Sequence, residues 1–255
     1  MNPDSIFITG ANRGLGLEFV KRIFSQATSP KHLFAACRDP SKAEELRKLA
    51  EQHTCLRVVK LDVTKDSDID AAFQEVSTHL GDGEGINLLI NNSGVFDQSG
   101  CSLREGVTRD QMQSHFNVNA TAPVLITQKL LPLLKKAAEK DKSHPMSYRR
   151  AAVINLSTAM ASIQTSVSKS RCNSYHYRSS KAALNMLTGL MSVELRDSGI
   201  LVAAIHPGWT QTDMGGASAD FDAKTTTQNV WSAITGMTEK SSGLLHNYDG
   251  TVLPW

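Results

Sequence analysis

The sequence contains few of the features that mark secreted or disulfide-rich proteins. Among its 255 residues are only four cysteines, Cys37, Cys55, Cys101 and Cys172, and no two of them form a C-x-x-C pair. This scattered set argues against a disulfide framework or a metal site. The opening residues Met1–Asp4 lack the basic and apolar regions of a secretory signal. We therefore predict reduced cysteines, no bound metal and a cytoplasmic protein.

Long apolar runs and a strong charge imbalance are also missing. No uninterrupted apolar stretch approaches the roughly 18 residues of a membrane-spanning helix, so we expect no membrane partner. Lys and Arg total 27 against 25 Asp and Glu, and the net charge of +2 is too small to attract nucleic acid over a long range. The apolar fraction of 40% suits a globular protein with a sizeable core.

Short apolar runs alternate with helix-length segments along the chain. The runs predict strands at Ser5–Thr9, Leu33–Cys37, Leu56–Leu61, Asn87–Asn91, Ala151–Asn155, Leu201–Ile205 and, more weakly, Gly243–Tyr248. The segments between them predict helices at Leu15–Ser25, Lys42–Gln52, Ser67–Leu80, Met112–Lys136, Ser179–Asp197 and Thr225–Thr238. Such alternation favours right-handed βαβ units, and strands that are apolar throughout are typical of a sheet covered on both faces.

The economical architecture is a single doubly wound α/β domain over residues 1–255. We predict a Rossmann domain with a mainly parallel seven-stranded sheet and helices on both faces. The chain shows no internal repeat, low-complexity tract or linker. Two polar stretches, Lys140–Arg150 and Ser162–Ser174, are expected to be surface insertions.

The stretch Ile8–Glu18 places three glycines directly after the first predicted strand. Gly10 can turn the chain out of the strand, Gly14 lets the backbone approach a phosphate, and Gly16 lets the following helix pack closely on the sheet. The free N–H groups and the dipole at the helix start then favour an anion. The alternative interpretation is an ordinary strand-to-helix turn.

The end of the second predicted strand indicates which dinucleotide this loop binds. Sites for NAD usually place an acid there to accept hydrogen bonds from the ribose hydroxyls. Here Arg38 directly follows Cys37, the last residue of the strand, and Asp39 comes only afterwards. Together with Arg13 of the glycine loop, Arg38 can hold a 2′-phosphate through its planar guanidinium. We predict NADP(H) rather than NAD(H), against the alternative of two surface arginines.

Tyr177 and Lys181 lie four residues apart near the start of a predicted helix. This spacing puts both side chains on one helix face, one turn apart. A free phenol has a pKa of about 10, and a neighbouring ammonium favours its ionised form. The pair can therefore exchange a proton with a substrate, although two unrelated residues at helical spacing remain the alternative.

Taken in order, the motifs resemble the short-chain dehydrogenase/reductase family along nearly the whole chain. "TGANRGLG" resembles that family's cofactor loop, "LDVT" its adenine-contacting segment, and "NNSG" its Asn-Asn-Ala-Gly turn. "VINLST" and "YRSSK" resemble its catalytic segments, and "HPGWTQTDM" its nicotinamide-binding loop. A narrower similarity, to Sniffer-like and C-factor-like carbonyl reductases, is carried by "INLSTAMASIQ", "HPGWTQTDMGG" and "NYDGTVLPW".

The resemblance implies an NADPH-dependent reductase of a small carbonyl substrate, namely an aldehyde, ketone or quinone. It implies Tyr177 as the general acid, Lys181 as a ribose contact that lowers the pKa of Tyr177, and Asn119 as the anchor of a relay water. A homodimer is possible. The cofactor contacts that it implies are Gly10, Asn12, Arg13, Gly14, Leu15, Gly16, Arg38, Asp62, Val63, Asn92, Ser93, Gly94, Tyr177, Lys181, Pro207, Gly208, Thr210 and Thr212.

One departure from the family pattern concerns the hydroxyl that holds the substrate. The family usually has two serines where this chain has Ser157 and Thr158, and the second is the one generally assigned to catalysis. The position-by-position match is Thr158, whose methyl group narrows its rotamers. Ser157 takes the role if the loop shifts.

The sequence is also compatible with two other functional classes. A catalytically vestigial NADP(H) sensor needs none of Tyr177, Lys181, Asn119 and the hydroxyl pair, so their presence favours the reductase. Epimerases or dehydratases with the same cofactor usually have a larger C-terminal substrate domain, whereas only 48 residues (255 − 207) follow Pro207 here.

Overall fold

The computed structural model describes residues 2–99, 101–169 and 173–255, so Cys172 lies outside the described residues. A single sheet of eight strands runs through it in the order β3-β2-β1-β4-β5-β6-β7-β8. All neighbouring strands are parallel except β7 and β8, which are antiparallel. The strands are β1 Ser5–Thr9, β2 His32–Cys37, β3 Leu56–Lys60, β4 Leu88–Asn91, β5 Ala152–Leu156, β6 Leu201–His206, β7 Leu245–Asn247 and β8 Val252–Leu253.

Helices cover both faces of the sheet. They are α1 Gly14–Phe24, α2 Glu44–Gln52, α3 Asp66–His79, α4 Arg109–Phe116, α5 Ala122–Lys140, α6 Ile163–Ser168, α7 Tyr175–Glu194 and α8 Ala223–Gly236. Alternate residues of β1 enter different cores: Ile8 packs with Phe19 of α1 on one face, and Phe7 with Leu130 of α5 on the other. Because both faces are buried, the middle of the strand, Ile6–Ile8, is apolar on both sides. The predicted doubly wound fold is confirmed.

The sheet has eight strands, and the prediction of seven was wrong by one. The last predicted strand, Gly243–Tyr248, is the shorter β7, and the chain then reverses to add β8. Gly250 has a φ of +86° at this reversal, and the Asp249 carboxylate accepts a hydrogen bond from the Thr251 N–H. A strand of only two residues carries too little periodicity to be recognised in sequence.

Two helical regions also differ from the prediction. The helix predicted at Met112–Lys136 is divided into α4, a π-helical segment at Asn117–Thr121, and α5. The helix α6 lies inside the stretch predicted as the insertion Ser162–Ser174, and the Ser162 hydroxyl caps it by accepting the Thr165 N–H. No helix among the described residues is long and apolar enough to span a membrane.

The strand order places the site at the carboxyl edge of the sheet. β1 lies between β2 and β4, so the chain connections diverge to opposite sides at this point. Ligands of open α/β sheets bind in the crevice formed at such a switch point. The glycine loop follows β1 here, and its Ala11 N–H donates to the Ala36 carbonyl of β2 at 2.9 Å.

Candidate active site

The glycine loop has the backbone shape that its three glycines permit. Gly10 and Gly14 have φ values of +66° and +54°, a region that side chains with a Cβ rarely adopt. A Cβ on Gly16 would lie 2.2 Å from the Gly10 carbonyl oxygen, so this glycine allows α1 to lie against the loop. Asn12 and Arg13 are exposed beside the start of α1, and Leu15 packs against the core.

A set of hydrogen bonds that we call the Thr9–Asn92 clamp fixes this loop to the end of β4. The buried Thr9 hydroxyl accepts the backbone N–H groups of Asn92 and Ser93, at 3.0 and 2.9 Å. The Asn92 amide donates in return to the carbonyls of Thr9 and Gly10, at 2.9 and 3.1 Å. The clamp therefore joins two of the predicted cofactor segments independently of any ligand.

The ends of β2 and β3 bring further predicted residues to the same edge. Arg38 is exposed, and its charge lies close enough to Asp62 to lower the pKa of that carboxyl. Burial raises the Asp62 pKa, but hydrogen bonds from Thr64 and the charges of Lys65 and Arg38 outweigh it. Val63 is buried next to Asp62. Asp39 is engaged in its own turn, where its carboxylate accepts from the Ser41 N–H and hydroxyl.

The loop that follows β6 contacts the glycine loop. It begins at Pro207 and Gly208, and Gly208 has a φ of +89°. The buried Thr210 hydroxyl is 2.9 Å from the hydroxyl of Thr226 in α8. Thr212 lies beside Gly14: a Cβ there would be 3.5 Å from the threonine methyl carbon. The structure thus brings the predicted nicotinamide loop and the predicted phosphate loop together.

Arg13 makes a contact that the sequence did not suggest. Its guanidinium pairs with the Asp213 carboxylate at 2.5 Å, and both side chains are largely exposed, at 68% and 77%. The contact connects the glycine loop to the loop after β6.

Tyr177 lies in the first turn of α7, with the Thr158 hydroxyl close enough to its phenol to lower the pKa. Burial has the larger influence and raises the pKa of Tyr177 to about 12. The Phe96 ring packs against the phenol ring at 4.9 Å between centroids. In these surroundings the phenol keeps its proton at neutral pH.

Lys181 lies one turn further along α7 and is buried. Its ammonium donates to the Leu156 carbonyl at 2.6 Å, and burial lowers its pKa to about 8. The predicted spacing on one helix face is therefore observed. The expected lowering of the Tyr177 pKa by Lys181 is not seen: burial raises this pKa, and the lowering influence comes from Thr158.

The two candidate hydroxyls point to different partners. Ser157 donates to the Asn185 side-chain oxygen at 2.6 Å and is buried under α7. Thr158 accepts the Met160 N–H at 3.2 Å and contacts Tyr177. Successive residues of extended chain project to opposite sides, which separates the two roles.

Asn119 lies in the π-helical segment between α4 and α5 and is fully buried. Its amide oxygen accepts the Val95 N–H, and its amide nitrogen donates to the Val95 carbonyl and to the Ser180 hydroxyl. Single π-helical turns are frequent at functional sites because the extra residue redirects one side chain. Here it fixes the segment after β4 to α7, beside the Lys181 ammonium.

Several residues of this region were missed in the sequence. His115 and His176 stack at 4.1 Å, and His115 accepts the Asp97 N–H at 3.1 Å, which anchors the segment carrying Phe96. The residues that surround the predicted Lys181 on the inward polar face of α7 were also missed. They are Ser180, Asn185, Thr188 and Ser192. Counted with Lys181, their spacing of three or four residues from Tyr177 onward was a readable signal of a polar helix face turned inward.

Comparison with known proteins decides the family. A family model described as short chain dehydrogenase matches residues 4–223. This chain belongs to the short-chain dehydrogenase family. Among solved short-chain dehydrogenases and their relatives, the carbonyl reductase Sniffer of Drosophila melanogaster is 37% identical with a TM-score of 0.95, and each chain is covered completely.

Further relatives extend the similarity. A NADPH-bound carbonyl reductase from chicken fatty liver is 39% identical with a TM-score of 0.93, again over 100% of both chains. The C-signal protein of Myxococcus xanthus is 35% identical, and the aligned region covers 67% of this chain and 93% of the C-signal chain. An uncharacterized oxidoreductase of Schizosaccharomyces pombe is 27% identical over 98% and 97% of the two chains.

Proposed function

We propose that this short-chain dehydrogenase is an NADPH-dependent carbonyl reductase acting on an aldehyde, ketone or quinone. The observation that carries the proposal is the half-buried Tyr177 phenol beside the Thr158 hydroxyl, with the buried Lys181 ammonium one turn further. Two solved relatives at 37% and 39% identity are named carbonyl reductases, and one of them holds NADPH. A binding module would need none of these side chains.

The residues at the carboxyl edge of the sheet fit NADP(H). Gly10 and Gly14 leave backbone N–H groups accessible beside the start of α1, where an anion is favoured. Asp39 is held by Ser41 in its own turn, whereas Arg38 is exposed next to it, a combination that favours a 2′-phosphate over a free ribose hydroxyl.

The proposed contacts of the dinucleotide follow the edge from β1 to β6. Arg13 and Arg38 take the 2′-phosphate, Asp62 and Val63 the adenine, and the Thr9–Asn92 clamp supports the middle. The proposed set is Gly10, Asn12, Arg13, Gly14, Leu15, Gly16, Arg38, Asp62, Val63, Asn92, Ser93, Gly94, Tyr177, Lys181, Pro207, Gly208, Thr210 and Thr212.

In the proposed reaction the reduced nicotinamide supplies the hydride to the carbonyl carbon. Thr158 donates a hydrogen bond to the carbonyl oxygen, and Tyr177 donates the proton that converts this oxygen to a hydroxyl. A pKa of about 12 keeps Tyr177 protonated at neutral pH, and the negative charge that develops on the carbonyl oxygen is what draws this proton. Ser157 is less suited to this role because its hydroxyl donates to Asn185.

Lys181 and Asn119 support the proposed acid in different ways. The Lys181 ammonium binds the cofactor ribose and provides positive charge when Tyr177 loses its proton. Both ends of the Asn119 amide hold protein groups, so its side chain positions Val95 and α7. The relay water at Asn119 stays a prediction.

The proposal is tested by following NADPH and NADH absorbance with a panel of aldehydes, ketones and quinones. We expect oxidation of NADPH in preference to NADH, and loss of turnover in Tyr177→Phe with nearly unchanged NADPH binding. Full activity of Tyr177→Phe with every accepted substrate contradicts the assignment of the acid. Tight NADPH binding without turnover of any substrate favours a sensor instead.

The remaining proposals concern the whole chain. We propose one domain over residues 1–255 in the cytoplasm, without a nucleic-acid partner. A homodimer through α7 is supported by three exposed apolar residues, Met186, Leu190 and Val193, which are spaced so that they share one side of the helix.

A further inference from the structure

The Arg13–Asp213 pair joins two loops that come from opposite ends of the chain. Arg13 precedes the first residue of α1, and Asp213 lies in the loop after β6. A second contact supports the same approach, because the Thr212 methyl carbon lies 3.5 Å from the Cβ position of Gly14. The pair is therefore part of the way in which the loop after β6 rests on the glycine loop.

This pairing uses the side chain that the proposed function assigns to the 2′-phosphate. A carboxylate and a phosphate both accept hydrogen bonds from the guanidinium N–H groups. Both are also negative, so they repel each other when they approach the same arginine. Arg38 is exposed and keeps its own contribution to binding.

We propose that Asp213 is a specificity-determining residue that competes with the 2′-phosphate of NADP(H) for Arg13. The inference rests on the proposed function. Asp213 weakens the binding of nucleotides that carry the 2′-phosphate and leaves those without it unaffected. It thereby reduces the preference for NADP(H) over NAD(H) that Arg13 and Arg38 create.

The size of the effect follows from the exposure of the pair. Exposed ion pairs are weak, so the paired state is favoured over the free state by a factor of only about 1.4 to 5. The affinity of a ligand is reduced by the fraction of the protein that is competent to bind it. Removing the competitor should then strengthen 2′-phosphate binding by about two- to sixfold.

The test measures binding of 2′,5′-ADP and 5′-AMP, which differ only in the 2′-phosphate, to the full chain by calorimetry. We expect Asp213→Asn to bind 2′,5′-ADP about two- to sixfold more tightly than the parent and to bind 5′-AMP equally well. Asp220→Asn is the matched control, because it removes the same charge from an exposed position further along the same loop. It should change neither affinity.

The same substitution made in the Arg13→Gln protein shows whether the effect of Asp213 depends on Arg13. In Arg13→Gln, the additional change Asp213→Asn should no longer strengthen 2′,5′-ADP binding, because the competed side chain is absent. An equal gain in Asp213→Asn and Asp220→Asn means general charge repulsion and overturns the competition. Weaker binding of both nucleotides in Asp213→Asn means that the pair closes the site, and this also overturns it.

The result also separates this inference from the function on which it rests. If the parent binds 2′,5′-ADP more tightly than 5′-AMP and Asp213→Asn changes nothing, only the competition is refuted. If the parent binds the two nucleotides equally, the NADP(H) preference is refuted, and the competition with it.

Discussion

At the scale of single residues, the two adjacent hydroxyls of Ser157 and Thr158 face different partners. Thr158 lies beside the Tyr177 phenol and lowers its pKa, whereas Ser157 donates to Asn185 inside the core. We expect Thr158→Ala to lower kcat by about 10²- to 10³-fold with a smaller change in KM, because the proposed donor to the carbonyl oxygen is lost. Thr158→Ser should restore most of the rate. Steady-state kinetics with NADPH measure both.

Ser157→Ala is the matched variant, since it removes the neighbouring hydroxyl. It leaves the buried oxygen of Asn185 without its donor, so we expect a loss of about 1–3 kcal/mol in the free energy of unfolding and little change in kcat. A loss of kcat in Ser157→Ala with an unchanged rate in Thr158→Ala would reverse the two roles.

Only part of the site geometry around Tyr177 could be predicted from the sequence. The Tyr177–Lys181 spacing could be predicted, because four residues on a helix always share a face. The choice between Ser157 and Thr158 could not, since it depends on which side of the extended chain faces Tyr177. The Tyr177 pKa depends on burial, which the sequence does not contain, and the expectation of a lowered value did not include it.

At the scale of elements, two helical glycines respond differently to the same substitution. A Cβ on Gly16 in α1 would lie 2.2 Å from the Gly10 carbonyl, whereas one on Gly189 in α7 meets no heavy atom within 4 Å. We expect Gly16→Ala to lower the free energy of unfolding by about 1–3 kcal/mol or more, because the loop must shift. Gly189→Ala should raise it by about 0.5–1 kcal/mol.

Urea unfolding of the two variants measures this difference, and NADPH binding of Gly16→Ala reports the shape of the loop. Equal stability of the two variants would mean that α1 does not lie as close to the glycine loop as the structure shows.

The elements that could be predicted and those that were missed depend on different features of the sequence. The interior strands β1, β2, β4, β5 and β6 are buried on both faces and alternate with helices, so their apolar composition marked them, whereas β3 at the sheet edge exposes Arg57 and Lys60. The short helix α6 depends on one cap at Ser162, and β8 on one turn at Gly250. The π-helical segment around Asn119 has no periodicity of its own.

At the scale of the whole molecule, the buried Lys181 connects activity to stability. Burial lowers its pKa from 10.5 to about 8, so the folded protein binds this proton less tightly than the unfolded chain does. Charging Lys181 therefore opposes folding below pH 8, and stability rises as the pH increases from about 8 to 10.5.

We expect Lys181→Met to raise the free energy of unfolding at pH 7 by about 1–3 kcal/mol, while turnover is lost. The advantage over the parent should shrink between pH 8 and 10, where the parent loses the unfavourable charge. Lys135→Met, which removes an exposed lysine of α5, is the control and should change little at either pH. A constant difference across this range would refute the role of the charge.

The Thr9–Asn92 clamp has a consequence for the kinetics of nucleotide binding. Four hydrogen bonds hold Thr9 and Gly10, where β1 passes into the glycine loop, against the end of β4. The start of the loop is thus fixed when the protein folds rather than when a nucleotide arrives. We therefore expect nucleotide association to require little rearrangement there, so that its rate depends on diffusion and on the mouth of the site. A change that weakens these bonds should slow association, because the loop would then have to be ordered at each encounter.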